Sequence, residues 1–209
     1  MDRLRNVGQC YTILNNLLMR SCRLAKPVVI AIFQHLANHT AAAVLAVVAF
    51  YLSLLTTSLP PAPQDRPAID RAIAILEEKG FNNEVFLLRN TVTFRSTDHW
   101  LNLLTPKENA YASTNFPFHI ITLYGDFYTK TVDDTERAMV LLHEARHLVG
   151  DNENEAYAYV WKNRHQLGWT IKTHGTTPSY ITIEQQTREM APEIFNCPDN
   201  LWMDCTERR

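Results

Sequence analysis

The chain has 209 residues, 46% of them hydrophobic and 20% charged, with a formal net charge of −2. That length holds one compact domain plus a further segment, and the near-neutral balance provides no electrostatic footprint for nucleic acid. The sequence carries no glycine-rich phosphate loop, no Gly-x-Ser-x-Gly elbow and no internal repeat, so phosphate cradles and serine-hydrolase elbows are set aside.

Residues 1–26 carry Arg3, Arg5, Arg20, Arg23 and Lys26 against Asp2 alone, and residues 40–59 then run without a charge. Twenty such residues at 1.5 Å each span about 30 Å, the thickness of a bilayer's hydrocarbon core. Residues 27–36 are also apolar, but Gln34, His35, Asn38 and His39 interrupt the run and make it a lead-in. The positive cluster before the span and the balanced Asp65, Arg66, Asp70 and Arg71 after it place the N-terminus in the cytoplasm. The rest of the chain is then extracytoplasmic, periplasmic or extracellular. The competing reading is a cleaved signal, with small residues at Thr56-Thr57-Ser58, although the leader would be far longer than usual. The expected plan is a basic segment over 1–39, a transmembrane signal anchor over 40–59, a proline-rich spacer over 60–67 and a domain over 68–209. The cysteines fit it: Cys197 and Cys205 fall in the oxidising compartment and are expected to pair, while Cys10 and Cys22 do not.

From Ala68, Ile69, Ala72, Ile73 and Leu76 recur at helical spacing up to the stop at Lys79-Gly80. Between Phe81 and Lys130 the pattern shifts toward strands, with alternation at Thr91–Arg95 and again at Phe118–Tyr124. A small sheet in an α+β domain is expected. Asp133 and Glu136 then read as a capping box opening a helix whose buried face is Ala138, Leu141, Leu142, Ala145 and Leu148, closed by Gly150. A further helix starts from Asp151 or Asn152 and closes at Gly168, and residues 181–190 read as a last one.

The first of these two helices carries His143-Glu144-Ala145-Arg146-His147. Histidines four apart share a helix face, so both imidazoles can converge on one metal ion, while an adjacent carboxylate that is not a ligand takes a proton from water. The third ligand is expected on the next helix. With 100° per residue, Glu153 falls within about 40° of the centre of the apolar face of Ala156, Val160 and Leu167, whereas Glu155 falls about 120° away. Glu153 is preferred. Glu155 stays open, because Asn152 with Glu155 also makes a capping box that sets a different register, and Asp151 is the third option. The bland alternative is a buried helix whose histidines are satisfied by hydrogen bonds.

Through His143-Glu144-Ala145-Arg146-His147 followed by Glu153-Asn154-Glu155-Ala156, the chain resembles the zincin superfamily of zinc metallopeptidases. The second piece resembles the Glu-x-x-Ala element of gluzincins, but it comes six residues after His147, far sooner than in that group and closer to the metzincin spacing. The resemblance implies one zinc ion held by His143, His147 and Glu153 or Glu155, with Glu144 as general base. It also implies that the strand before the motif helix is the edge along which a protein or peptide substrate pairs, a place Phe118–Tyr124 occupies. Tyr157, Tyr159 and His165 on the second helix are candidates to steady the oxyanion, with Tyr157 preferred because it flanks the expected ligand. The other reading is a membrane-tethered interaction module that uses the fold without turnover.

Overall fold

The computed structural model describes residues 31–102 and 110–195. The basic residues before Lys26 and all four cysteines, with the expected Cys197–Cys205 pairing, lie outside the described residues. The chain divides into two units, Met1–Ser53 and Leu54–Arg209.

Helix α1, Ala31–Thr56, has 26 residues and is long and apolar enough to cross a membrane. It is one continuous helix, so the Gln34–His39 interruption expected to separate a lead-in from the span does not break it. At its other end the expected boundaries shift. Leu54 and Ser58 are buried within the second unit, which begins inside the proposed span and includes the whole proposed spacer.

In the second unit, α2 (Arg66–Glu78) starts with Pro67 in its first turn, where a missing N–H costs nothing, and buries Ile69, Ala72, Ile73 and Leu76. Helix α3 (Asn82–Asn90) occupies a stretch expected to hold strands. Its buried face is only Glu84, Val85 and Leu88, too short for the periodicity to declare itself. Strands β1 (Thr93–Arg95), β2 (Ala112–Asn115) and β3 (Ile120–Leu123) form a sheet of order β1-β3-β2. β1 is parallel to β3 and β2 antiparallel to it. The strand before the motif helix, β3, is therefore central and buried along its length; the expectation that it forms the open edge is incorrect. The edges are β1 and β2, and the Ala-Ser-Thr-Asn of β2 has no apolar alternation to mark it.

After the short α4 (Gly125–Thr129), α5 (Asp134–Leu148) runs through the middle of the unit, packed against α2, α3, β2 and α6 (Glu153–Leu167). Its cap is the one the sequence indicates: Asp133 Oδ1 accepts from the Glu136 N–H at 3.0 Å, an interaction worth about 1 kcal/mol. Glu136 reaches one residue further back than a standard box, accepting from the Val132 N–H at 2.8 Å. Gly150, at φ +97°, ends the helix in a conformation that side chains disfavour. Helices α7 (Ile171–His174) and α8 (Pro178–Met190) close the unit, and Trp161, Trp169 and Tyr180 stack to pin α8 onto α6.

Candidate metal centre

Helical geometry brings His143 and His147 together on one face of α5, half-buried, with their Nε2 atoms 3.1 Å apart. The turn through Gly150 reverses the chain, so that Glu153, in the first turn of α6, returns to the pair. Its Oε2 lies 3.3 Å from His143 Nε2 and its Oε1 3.5 Å from His147 Nε2. Four-coordinate zinc with ligand bonds of about 2.0–2.1 Å requires donor atoms about 3.3–3.4 Å apart. The two imidazole nitrogens lie near that value, while Glu153 meets them with different carboxylate oxygens; one ligand atom from each of the three residues lies within 4.8 Å of the others, so the residues fit a zinc ion after a small closure of Glu153. Among the described residues these three form the one cluster of ligand-type side chains close enough to share an ion.

The turn also supplies outer support. His147 Nδ1 donates to the carbonyl of Asp151 at 2.9 Å, which fixes the ring and leaves Nε2 facing the cluster. The Asp151 carboxylate, one of the sequence-level ligand options, faces elsewhere and accepts from Arg146 Nε at 2.8 Å. Arg146 Nη1 in turn donates to Glu84 Oε1 at 3.1 Å, and the Tyr159 hydroxyl donates to the same oxygen at 3.0 Å. Glu155 is outside the cluster. Its carboxylate closes the capping box, accepting from the Asn152 N–H at 2.9 Å while Asn152 Oδ1 accepts from the Glu155 N–H at 3.1 Å.

Burial on its own would lower the pKa of His147. The Glu153 carboxylate, the nearby Glu144 charge and the Asp151 carbonyl outweigh it, raising that pKa to about 9. Hydrogen bonds from His143 and then His147 hold Glu153 far below the usual carboxylate range. The cluster thus retains a proton on His147 that a metal would displace.

Glu144 is buried, is not part of the cluster, and lines the same cleft of about 630 Å³ as the two histidines and Glu153. Thr114 Oγ1, on β2, donates to Glu144 Oε2 at 2.6 Å. Tyr157 also lines the cleft: its ring lies 4.5 Å from that of His143, and its hydroxyl donates to Gln186 Oε1 on α8 at 3.0 Å. Burial, followed by the Glu153 and Glu144 charges, pushes its phenol well above the usual value. Thr114, Glu84 and Gln186 had no local sequence signal; each reaches the site from an element distant in the chain.

The β2 edge borders the cleft. The Tyr124 backbone N–H donates to the Tyr111 carbonyl at 3.0 Å, which makes that pair hydrogen-bonded. By the alternation of an antiparallel ladder, Ala112 and Thr114 turn their N–H and C=O groups away from β3. Compared with protein-family models, curated proteins and solved structures, the chain matches none.

Proposed function

We propose that the chain is a membrane-anchored zinc metallopeptidase with a zincin-like site in its second unit. The supporting observation is the convergence of His143, His147 and Glu153, one ligand atom of each within 4.8 Å of the others, beside a buried carboxylate that is not a ligand. Zinc bound there would acidify a water molecule and polarise a carbonyl. His143, His147 and Glu153, which line the cleft, would hold it.

Glu144 is then the proton carrier. One of its oxygens is fixed by Thr114, and the other would take a proton from the water that attacks the scissile carbonyl and pass it to the leaving amine as the C–N bond breaks. The outward N–H and C=O groups of Ala112 and Thr114 would pair with an extended peptide, an added strand at an open sheet edge. Tyr157 packs against the His143 ring. To stabilise the oxyanion its hydroxyl would turn from Gln186 into the cleft. Helix α1 would be the anchor, with the N-terminus cytoplasmic and the second unit outside.

A tethered interaction module without turnover is distinguished by one substitution. In the zinc-loaded full chain, Glu144→Gln is expected to keep the metal and to lose peptide hydrolysis by about 10²–10⁴-fold, the usual contribution of a positioned acid–base group. A wild type that holds zinc but cleaves no peptide of a mixed-sequence library would refute the peptidase reading.

A further inference from the structure

The residues that follow α1 are bound into the second unit. Thr57 Oγ1 accepts from the Trp100 N–H at 3.4 Å, and the Leu59 N–H donates to Thr97 Oγ1 at 2.8 Å. The Ser96 N–H donates back to the Leu59 carbonyl at 2.8 Å. With Leu54 and Ser58 buried as well, the chain leaves α1 as a strap laid on residues 96–100.

That same segment carries the edge of the cleft. Asn102 Nδ2 donates to Ser113 Oγ on β2 at 3.3 Å, and the Tyr124 hydroxyl donates to Asp98 Oδ1 at 2.8 Å. Ser113 and Tyr124 both line the cleft. The membrane exit and the substrate edge are therefore the two sides of one short hydrogen-bonded bridge.

Chain continuity limits how far apart they can be. Leu54 is buried in the second unit and cannot face acyl chains, so the hydrocarbon ends at or before Ser53. Without Leu54, Leu55 and Thr56, the 26-residue helix that starts at Ala31 leaves 23 residues up to Ser53, about 35 Å of helix. A 30 Å core then leaves the bilayer boundary within about 5 Å of Ser53. Four helical steps to Thr57 and the path through Trp100 and Asn102 to Ser113 add about 25 Å at most. An extended polypeptide covers that total of roughly 30 Å within about ten residues. The exposed side chains of Leu59, Trp100 and Leu101 lie on the strap and its partner segment, where a tryptophan suits the headgroup layer.

The geometry points to a substrate class: the bilayer-proximal stretch of other membrane-embedded polypeptides, within about ten residues of the lipid surface, in preference to free soluble chains. This rests on the peptidase and membrane-anchor readings above. The test uses the zinc-loaded full chain in equimolar phosphatidylcholine and phosphatidylglycerol vesicles. It is offered transmembrane peptides carrying one mixed-sequence cassette either about 5 or about 40 residues from the bilayer, at equal surface density so that shared anchoring favours neither. Cleavage of the near cassette at least about tenfold faster than the far one is expected, together with photolabelling of Trp100 and Leu101 by a headgroup-borne diazirine lipid. Equal cleavage of both cassettes, or photolabel missing from residues 98–102, overturns the membrane-proximal assignment and leaves the peptidase intact. No cleavage of either cassette overturns both.

Discussion

Arg146, the second of the two residues between Glu144 and His147, is predicted to set zinc affinity without touching the ion. Its guanidinium donates to Asp151 and Glu84 and lies 4.1 Å over the Tyr159 ring. Burial opposes the charge, but the Asp151 and then Glu84 hydrogen bonds outweigh it and keep the group firmly protonated. Through Asp151 it fixes the turn whose carbonyl orients His147 and whose end presents Glu153. Arg146→Met would leave the Glu84 side chain, 6% exposed, with only the Tyr159 hydroxyl among these partners. Breaking a fully buried ion pair costs about 3–5 kcal/mol; with Arg146 itself 21% exposed, about 2 kcal/mol of folding stability is a discounted figure. Loss of an outer-shell support typically weakens metal binding by about 10–100-fold. Chelator competition should show that loss in Arg146→Met and a smaller one in Arg146→Lys, whose single ammonium cannot reproduce the fork. Zinc affinity within about twofold of wild type, alongside lowered urea stability, would mean that Arg146 braces the fold and not the site.

Thr114→Val removes the hydroxyl that holds Glu144 while preserving shape. A hydrogen bond to a charged group is worth about 1.5–3 kcal/mol, so kcat should fall about 10–100-fold with zinc retained, and Thr114→Ser should recover most of it. Binding zinc displaces the proton of His147, so apparent affinity should tighten by about tenfold per pH unit and level off near pH 9. Calorimetry in buffers of different ionisation enthalpy should register about one proton released per zinc at pH 7.5. With the metal removed, the raised His147 contributes stability that is complete below about pH 6.5 and lost as pH rises through 9. The lowered Glu153 contributes stability present above about pH 4.5 and lost on acidification. Urea midpoints of the zinc-free protein should therefore peak between those limits, and a midpoint that rises steadily from pH 6 to 9 would contradict the assignment.

Local signals carried much of this architecture. The cap at Asp133, the periodic face of α5 and the glycine at 150 placed the histidine pair on a core helix, and angular position favoured Glu153 while leaving Glu155 open. What stayed hidden depends on tertiary pairing. Ala112–Asn115 has the composition of a loop, and it is a strand because β3 supplies its partner. Phe118–Tyr124 reads as the stronger strand because its Ile120–Leu123 core is buried on both faces, which is why that strand is central and not an edge; Phe118 and His119 instead form a tight turn before it. The strap at residues 57–60 was masked by its prolines. Pro60, Pro61 and Pro63 suggest a free spacer, yet Thr57 and Leu59 are tied to residues 96–100 by groups that no local pattern links. A fragment starting at Pro67 would lack that strap, so the full chain is the proper material for these tests.

The central claim is the metal site, and zinc stoichiometry of the folded full chain in detergent tests it most directly, measured beside His147→Ala, Glu153→Ala and Glu155→Ala. The account predicts one zinc per chain in the wild type and in Glu155→Ala, whose lost carboxylate serves a helix cap, and loss of the metal in the other two. A folded wild type that takes up no zinc, or a Glu155→Ala variant that loses it while Glu153→Ala keeps it, would contradict the account.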